Sequence, residues 1–409
     1  MTDGLWILGG YQSDFARNWS REGHDYAGLF AEVVPETLSD AGASVQDIEV
    51  IHVGNAFGQL FTGQGHLGAM PATVEPGLAG LPASRHEAAC ASGGIALLAA
   101  MADLESGRYG TALVIGAELE KTVDGGRAAE LMGAAAWVGH EAAGQRYVWP
   151  WSFDELAAEY DRRYGLDETH LRAIGELNRR NAAGNPNAQT RSWAADPRAF
   201  SDDDTANPVV NGRVRRSDCS QITDGAAGVV LVSDRFLRER GIDPVKVGAS
   251  LVSGWGHRSA GLPLHPKLAA SADAEYVLPH VRATIVDAQR RARIAGIEQI
   301  DVIETHDCFS PSQYMAIDHF GITKPGASWQ AVESGDLERG GRIPMNPSGG
   351  LIGGGHPVGA SGVRMVWDAH RQVTDAAEGY QVEGARTAAT LNIGGSTATT
   401  VSFVVTAAG

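Results

Sequence analysis

The sequence predicts an α/β protein built from two copies of one βα unit. Short apolar runs alternate with helical patterns along the chain. Residues 47–57 (DIEVIHVGNAF) also recur at 299–309 (QIDVIETHDCF), with isoleucine, an acidic residue, valine, isoleucine and phenylalanine in register. The chain has 409 residues, of which 43% are hydrophobic, which is enough for two cores. Such alternation is typical of largely parallel sheets covered by helices.

The elements of the first copy follow from periodicity. Residues 5–8 form an apolar run typical of a strand, residues 26–38 carry apolar side chains at helical spacing, and residues 48–53 predict a second strand. Later elements pair across the repeat: helix 94–104 with helix 363–373, strand 111–115 with strand 390–393, and strand 228–232 with strand 401–405.

The repeat predicts two halves, residues 1–245 and 246–409. The first half contains a block without a counterpart, at about 118–207, which we interpret as an inserted loop domain. A capping pattern that starts at Ser152 predicts a helix to Tyr164, and a second helix is expected from Glu168 to about Ala183.

Composition narrows the function. A formal charge of −16 argues against nucleic acid or an anionic membrane surface as a partner. No apolar run is long enough to span a membrane and no signal peptide is recognisable, so we expect a cytoplasmic protein. Three dispersed cysteines do not suit a disulfide framework and fit free thiols in a reducing compartment.

Two turns carry the candidate chemistry. Residues 346–362 (NPSGGLIGGGHPVGASG) hold a single histidine, His356, before a predicted helix whose first N–H groups can hold an anion or a thioester oxygen. Cys90 lies in CASGG, also before an apolar helix, where the helix dipole is expected to lower the thiol pKa. A buried, inert cysteine is the alternative. If the two copies are related by a pseudo-twofold axis, Cys90 and His356 meet as nucleophile and base.

A metal site is a second interpretation of the same residues. Cys90, His306, Cys308 and His356 are of ligating types, but each comes from a different stretch of the chain. We predict no metal.

The motifs together resemble the thiolase superfamily. They are CASG at Cys90, DGAAG at 224–228, HDCF at 306–309, GGGHPVGASG at 353–362 and IGG after Asn392. HDCF, together with GNPNAQ at 184–189, looks like the sterol-carrier-protein type. The resemblance implies a five-layer αβαβα thiolase fold, a homodimer or homotetramer, and coenzyme A thioesters as substrates with no further cofactor.

The resemblance also implies roles for individual residues. Cys90 would be acylated, His356 would activate it, and the amides of Cys90 and Gly394 would form an oxyanion hole. His306 would orient a water or the substrate carbonyl. Many thiolases have a catalytic cysteine where this chain has Asn392, and Cys308 of HDCF is the candidate acid/base. Cys219 matches no catalytic position.

Arg179, Arg180 and Arg191 form an arginine cluster in an acidic chain and are candidates for the phosphates of coenzyme A, although a solvated helix face is an equal interpretation. The leading function is an acetyl-CoA acetyltransferase-type thiolase. One alternative is a thiolase-like retro-aldolase that works with a small OB-fold-type partner protein, and another is an acyl-CoA-binding or lipid-transfer protein.

Overall fold

The computed structural model describes residues 4–194 and 196–409. Its strands are β1 Leu5–Gln12, β2 Val50–Gly54, β3 Ala83–His86, β4 Thr111–Glu118, β5 Val209–Asn211, β6 Val214–Arg215, β7 Gly225–Ser233, β8 Ser250–Ser259, β9 Val302–Thr305, β10 Thr387–Gly394 and β11 Thr399–Ala407. Its α-helices are α1 Tyr26–Asp40, α2 Gly58–Thr62, α3 Met70–Val74, α4 Ser92–Glu105, α5 Gly125–Met132, α6 Val148–Tyr164, α7 Thr169–Ala182, α8 Asp234–Arg240, α9 Leu264–Ala270, α10 Pro279–Arg291, α11 Ser310–Phe320, α12 Ser328–Glu333 and α13 Ser361–Val373.

The two copies have the same strand order. The large sheet runs β3-β2-β4-β7-β1-β8-β11-β10-β9, so that β2-β4-β7-β1 in the first copy mirrors β9-β10-β11-β8 in the second. The halves join where β1 pairs antiparallel with β8, through Trp6 with Leu251 and Ile7 with Ser250. Short 3₁₀ turns also precede both β2 and β9, at Val45–Asp47 and Ile297–Gln299. The internal repeat is therefore structural as well as sequential.

The prediction of largely parallel sheets is wrong. Only β2–β3, β2–β4 and β9–β10 are parallel pairs in the large sheet, whereas β1–β7, β1–β8, β4–β7, β8–β11 and β10–β11 are antiparallel. The reason lies in the connections. A short turn joins β10 to β11 and forces an antiparallel pair, and β7 takes the equivalent place in the first copy.

Helices and half-sheets stack in five layers. Helix α1 packs its buried face, including Leu29, Phe30 and Val33, on the outer side of the first half-sheet. Helices α4 and α13 lie between the two half-sheets and contribute Leu97 and Val363 to one shared core. Helix α10 covers the outer face of the second half-sheet. The predicted five-layer αβαβα arrangement is confirmed.

Glycines allow the two central helices to cross closely. A β-carbon on Gly93 of α4 would lie 2.9 Å from the carbonyl oxygen of Gly359, and one on Gly362 of α13 would lie 2.4 Å from the Gly94 amide nitrogen. Real β-carbons do not approach other atoms so closely, so any other residue would push the helices apart. The crossing brings the N-terminal turns of α4 and α13 together.

The block between β4 and β7 contains α5, α6 and α7. Helix α7 lies within the predicted 168–183, but α6 starts four residues before Ser152, at Val148. Ser152 therefore does not cap the helix, and its hydroxyl donates to the Val148 carbonyl oxygen at 2.9 Å. Pro150 does not prevent this earlier start because proline is tolerated in the first helical turn.

The boundary predicted at 245/246 falls in the exposed connection between α8 and β8. None of the helices in the described ranges combines the length and the apolar character that a membrane crossing requires.

Candidate active site

The turn before α4 fixes the position of Cys90. Ala89 adopts a left-handed conformation with φ of 50°. The Ala88 amide donates to the Ser92 hydroxyl oxygen at 2.9 Å, and that hydroxyl donates to the Ala89 carbonyl oxygen at 2.6 Å. Asn392 on β10 donates from Nδ2 to the Cys90 carbonyl oxygen at 3.0 Å. Bonds from both copies therefore hold the cysteine backbone.

The glycine-rich turn before α13 presents His356 in one defined tautomer. The Ser361 hydroxyl lies 2.7 Å from His356 Nδ1 and donates its own proton to the Pro357 carbonyl oxygen at 3.0 Å. Its oxygen therefore accepts the Nδ1 proton, which leaves Nε2 with a lone pair. Nε2 is buried and has no partner among the described residues. Burial and the nearby Arg364 lower the His356 pKa to about 3, so the ring is neutral at physiological pH.

Cys90, His356 and His306 converge in space. The Cys90 sulfur and one ring nitrogen from each histidine all lie within 4.8 Å of one another. The two histidine rings meet edge to face, with centroids 5.2 Å apart. Burial, His356 and Arg364 hold the His306 pKa well below its usual range. A thiol, a free imidazole lone pair and a second neutral imidazole therefore surround one point.

The Cys90 thiol does not have the lowered pKa that was expected. Burial and the carboxyl groups of Glu120 and Glu118 raise its pKa to about 12. The expectation is wrong because desolvation of the thiolate outweighs the favourable field of the helix N-terminus. The amides that favour the thiolate are those of Cys90 itself and Gly395, one residue after the predicted Gly394. Gly394 approaches the same turn with its backbone, since a β-carbon there would lie 2.2 Å from the Ala88 carbonyl oxygen.

Asn392 lies between Cys90 and His306, and its Nδ2 is 3.4 Å from His306 Nδ1. Its amide cannot remove a proton from carbon. Cys308 lines the same cavity as Cys90, and burial and the nearby Cys90 hold its pKa well above the usual range, so it rests as a protonated thiol. Cys308 does not belong to the group of three that meets within 4.8 Å.

The cavity around Cys90 has a volume of about 550 Å³ and largely apolar walls. It is lined by Cys90, Gly125, Ala129, Met132, Tyr147, Trp149, Pro150, Phe153, Val210, Arg216, Cys219, Ser220, Gln221, Ile222, Cys308, Phe309, His356 and Gly395. Cys219 thus lines the site as well, but its thiol is engaged and donates to the Arg215 carbonyl oxygen at 3.3 Å.

The predicted arginine cluster lies outside this cavity. Arg191 forms a two-pronged ion pair with Asp14 at 2.7 Å and 2.8 Å, and Arg180 pairs with Glu338 at 3.1 Å. Arg179 instead stacks on Trp193, 4.4 Å from the ring centroid, and forms no ion pair within the described ranges. It lines a second cavity, of about 460 Å³, which shares Arg216, Cys219 and Gln221 with the Cys90 cavity.

Sequence reasoning missed two carboxylates that shape the turns. Asp307 accepts the Leu351 amide at 2.6 Å and the Ile352 amide at 3.1 Å. Glu118 accepts the Ala56 amide at 2.9 Å and the Gly359 amide at 3.0 Å. The internal repeat could have indicated Asp307, because the repeat aligns Asp307 with Asn55, another polar residue that follows a buried strand. Asn55 donates to Glu118 at 2.7 Å.

Cys90, His306 and His356 also meet one requirement of a metal site, since thiolate and imidazole are suitable ligands for a cation such as zinc. A structural zinc site needs a fourth protein ligand, and the described part of the chain brings no fourth cysteine, histidine or carboxylate into this group.

The chain matches the family described as "Thiolase, N-terminal domain" over residues 6–141 and "Thiolase C-terminal domain-like" over residues 265–407. It is 32% identical to an acetyl-CoA acetyltransferase of Methanothermobacter thermautotrophicus over 95% of this chain and 96% of the relative. It is 27% identical to sterol carrier protein 2 of Bos taurus over 91% of this chain and 67% of that protein.

Solved structures of similar fold include an Ltp2-ChsH2(DUF35) aldolase, with a TM-score of 0.79, 18% identity and coverage of 99% of this chain and 98% of that chain. Human mitochondrial 3-ketoacyl-CoA thiolase in complex with CoA gives a TM-score of 0.71 at 15% identity, with coverage of 100% and 99%. At these identities the likeness concerns the fold alone. Because both halves match its domain families and a relative above 30% identity aligns along nearly the whole length, the chain belongs to the thiolase family.

Proposed function

We propose that this protein makes or breaks a carbon–carbon bond in a 3-ketoacyl-CoA through an acyl-Cys90 intermediate. The observation that carries the proposal is the meeting of the Cys90 thiol with the histidine pair, His306 and His356, within 4.8 Å. The name of the acetyl-CoA acetyltransferase relative supports the same chemistry.

In the first step, His356 Nε2 takes the Cys90 proton as the sulfur attacks the thioester carbonyl carbon. The buried, neutral imidazole is required because the thiol pKa is too high for free ionisation. Charge that develops on the carbonyl oxygen is stabilised by the amides of Cys90 and Gly395. The thiolate of coenzyme A then leaves and takes the proton from His356, which completes the acyl-enzyme.

The second step joins the acyl group to the α-carbon of another thioester, and it needs a base that removes the α-proton. We propose Cys308 for this role because it lines the cavity and Asn392 cannot act. Since Cys308 rests as a protonated thiol, it first passes its proton to the neutral His356, and its thiolate then takes the α-proton. The resulting carbanion attacks the acyl carbon, the bond from that carbon to Cys90 breaks, and the Cys90 sulfur takes the proton from His356. In the cleavage direction the protonated Cys308 donates a proton to the departing carbanion. His306 and Asn392 orient the carbonyl of the thioester.

For the phosphates of coenzyme A, we propose Arg216 with Arg179. Arg216 is exposed at the junction of the Cys90 cavity and the second cavity, and its neighbour Arg179 has no acidic partner within the described ranges. The ion pairs of Arg180 and Arg191 make those two residues weaker candidates. Truncation of Arg216 to alanine is expected to raise KM for acyl-CoA with little effect on kcat.

Mass spectrometry after mixing with acetyl-CoA or acetoacetyl-CoA tests the proposed function. We expect an acetyl group on the peptide that contains Cys90 and none on those of Cys219 and Cys308. Unmodified protein with bound acyl-CoA would support a lipid-binding role instead. Cleavage of a branched 3-hydroxyacyl-CoA without an acyl-enzyme would support a retro-aldolase, and one structurally similar protein is the Ltp2-ChsH2(DUF35) aldolase.

We further propose that the chain works as a homodimer or homotetramer without a metal or another cofactor. If Cys90 is the nucleophile, zinc bound at Cys90, His306 and His356 would occupy the attacking sulfur. Activity should therefore survive dialysis against a chelator and fall on addition of zinc. Loss of activity on chelation with recovery on metal addition would contradict this.

We also propose a small OB-fold-type protein as a partner of the chain, which co-purification from the native source can test.

A further inference from the structure

Glu120 is a buried acid beside the site that the mechanism above does not use. We propose that Glu120 is a positioning residue for the nucleophile, a carboxylic acid that keeps its proton next to Cys90 and so permits the thiolate to form. The inference rests on the proposed role of Cys90.

The backbone at Glu120 is held rigidly just after β4. The amides of Glu120 and Lys121 both donate to Asp224 Oδ1, each at 2.7 Å. The Glu120 side chain is fully buried, and neither carboxyl oxygen has a hydrogen-bond partner within the described ranges. An unpartnered charge in such a place would be costly, so the group is stable only when it is neutral.

The carboxyl group of Glu120 lies against the turn that carries His356, at a residue of the cluster on which Cys90 packs. The amides of Thr223 and Val358 are near enough to favour its charged form, although neither reaches hydrogen-bonding geometry. Thr223 accepts the His356 amide through its hydroxyl at 3.0 Å. Val358 belongs to a small apolar cluster against which Cys90 packs.

Among the described residues, the titratable groups that most strongly influence Glu120, or are influenced by it, are acids. They are Glu118 at the end of β4, Asp224 before β7, Tyr26 of α1 and the Cys90 thiol. The nearest lysine in sequence, Lys121, donates instead to the Arg17 carbonyl oxygen at 3.1 Å. Burial and the charges of Glu118 and Asp224 hold the Glu120 pKa well above its usual range. Ionisation of Glu120 and formation of the Cys90 thiolate therefore oppose each other.

The test is the pH profile of Cys90 alkylation by iodoacetamide, followed by mass spectrometry for the wild type and Glu120→Gln. In the proposal both proteins are uncharged at position 120 at neutral pH, so we expect equal rates of Cys90 alkylation at pH 7. At alkaline pH the wild-type carboxyl ionises and suppresses the thiolate, and the variant should become faster by about tenfold, the change that one unit of thiol pKa produces. Glu105→Gln, at the far end of α4, is the matched control and should follow the wild type.

Identical profiles at every pH, or a faster variant already at pH 7, would overturn the proposal. If Glu120→Gln does not fold, Glu120→Met gives the same comparison, because methionine is uncharged and suits an apolar site. Infrared spectra should also show a protonated carboxyl band at pH 7 that either variant lacks. Absence of acetyl transfer to Cys90 together with the expected profiles would refute the proposed function and leave the role of Glu120 intact.

Discussion

Two cysteines of the cavity are expected to divide the chemistry, and single substitutions separate them. Cys90→Ala should form no acyl-enzyme and show no turnover, since no covalent intermediate can arise. Cys308→Ala should still acylate at Cys90 but lose about 10² to 10⁴ in the Claisen step, the usual contribution of general acid–base catalysis. Mass spectrometry measures the first effect, and NMR exchange of acetyl-CoA α-protons measures the second. Undiminished α-proton exchange in Cys308→Ala would move the base to another group such as His306.

The lowered pKa of His356 predicts how the unfolding free energy of the protein changes with pH. This pKa is about 3 in the fold, against about 6.5 for an unfolded histidine. Between these values the unfolded chain binds a proton that the folded chain does not, so this contribution to stability is complete above pH 6.5 and is lost as the pH falls. From pH 6.5 to 5, the unfolding free energy of the wild type should fall by about 2 kcal/mol more than that of His356→Asn.

Urea unfolding at several pH values measures this difference. His265→Asn provides the control, since this side chain is 59% exposed and does not line the Cys90 cavity. An equal fall in unfolding free energy on acidification in His356→Asn and the wild type would mean that the buried imidazole is already protonated in the folded protein.

At the scale of elements, the crossing of α4 and α13 is the feature most sensitive to one added carbon. Gly362→Ala would place a methyl group 2.4 Å from both the Gly94 amide nitrogen and Asn392 Oδ1. We expect a loss of about 1–3 kcal/mol in stability, as for other overpacked cores. Acylation of Cys90 should slow as well, because the same crossing sets its distance from His356.

Gly340→Ala is the control for this crossing, since a β-carbon there would meet no atom of residues 4–194 and 196–409 within 4 Å. Thermal unfolding and the rate of acetyl transfer are the measurements. A Gly362→Ala variant with wild-type acylation would show that the distance between the catalytic turns tolerates a shift of the helices.

Much of the secondary structure was predictable from the sequence, because the patterns that indicate helices and strands are local. Helix α13 starts two residues before the predicted Val363 and ends at the predicted Val373, and the repeat correctly matched β2 with β9. The antiparallel pairings were missed because strand direction depends on contacts between distant segments. The raised pKa of Cys90 was missed for a related reason, since both its main cause, the burial of the thiol, and the approach of Glu120 exist only in the folded chain. The motifs correctly predicted that Cys90 and His356 meet. Glu118 and Asp307 were missed because they accept hydrogen bonds from turns that are distant in sequence.

For the whole molecule, we predict a dimer whose interface includes residues 57–68, beside the edge strand β3. Leu60 in this segment is 47% exposed, as is expected of an apolar residue that a partner covers. A stable interface would bury more than about 2,000 Å². Light scattering should give a dimer or tetramer for the wild type and a smaller species for Leu60→Glu.

Val247→Glu is the matched control for the dimer, because Val247 is 50% exposed on the connection between α8 and β8. It should leave the assembly unchanged. A wild-type monomer at micromolar concentration would contradict the predicted interface.

The placement of Cys90 in one copy and His356 in the other also bears on biosynthesis. A growing chain exposes Cys90 long before His356, Asn392 and strand β10 have been made. Until then Cys90 lacks the base and the Gly395 amide of the proposed mechanism, so we expect little acylation by the thioesters around it. In the proposed mechanism, reactivity towards thioesters therefore appears only after both copies have folded together.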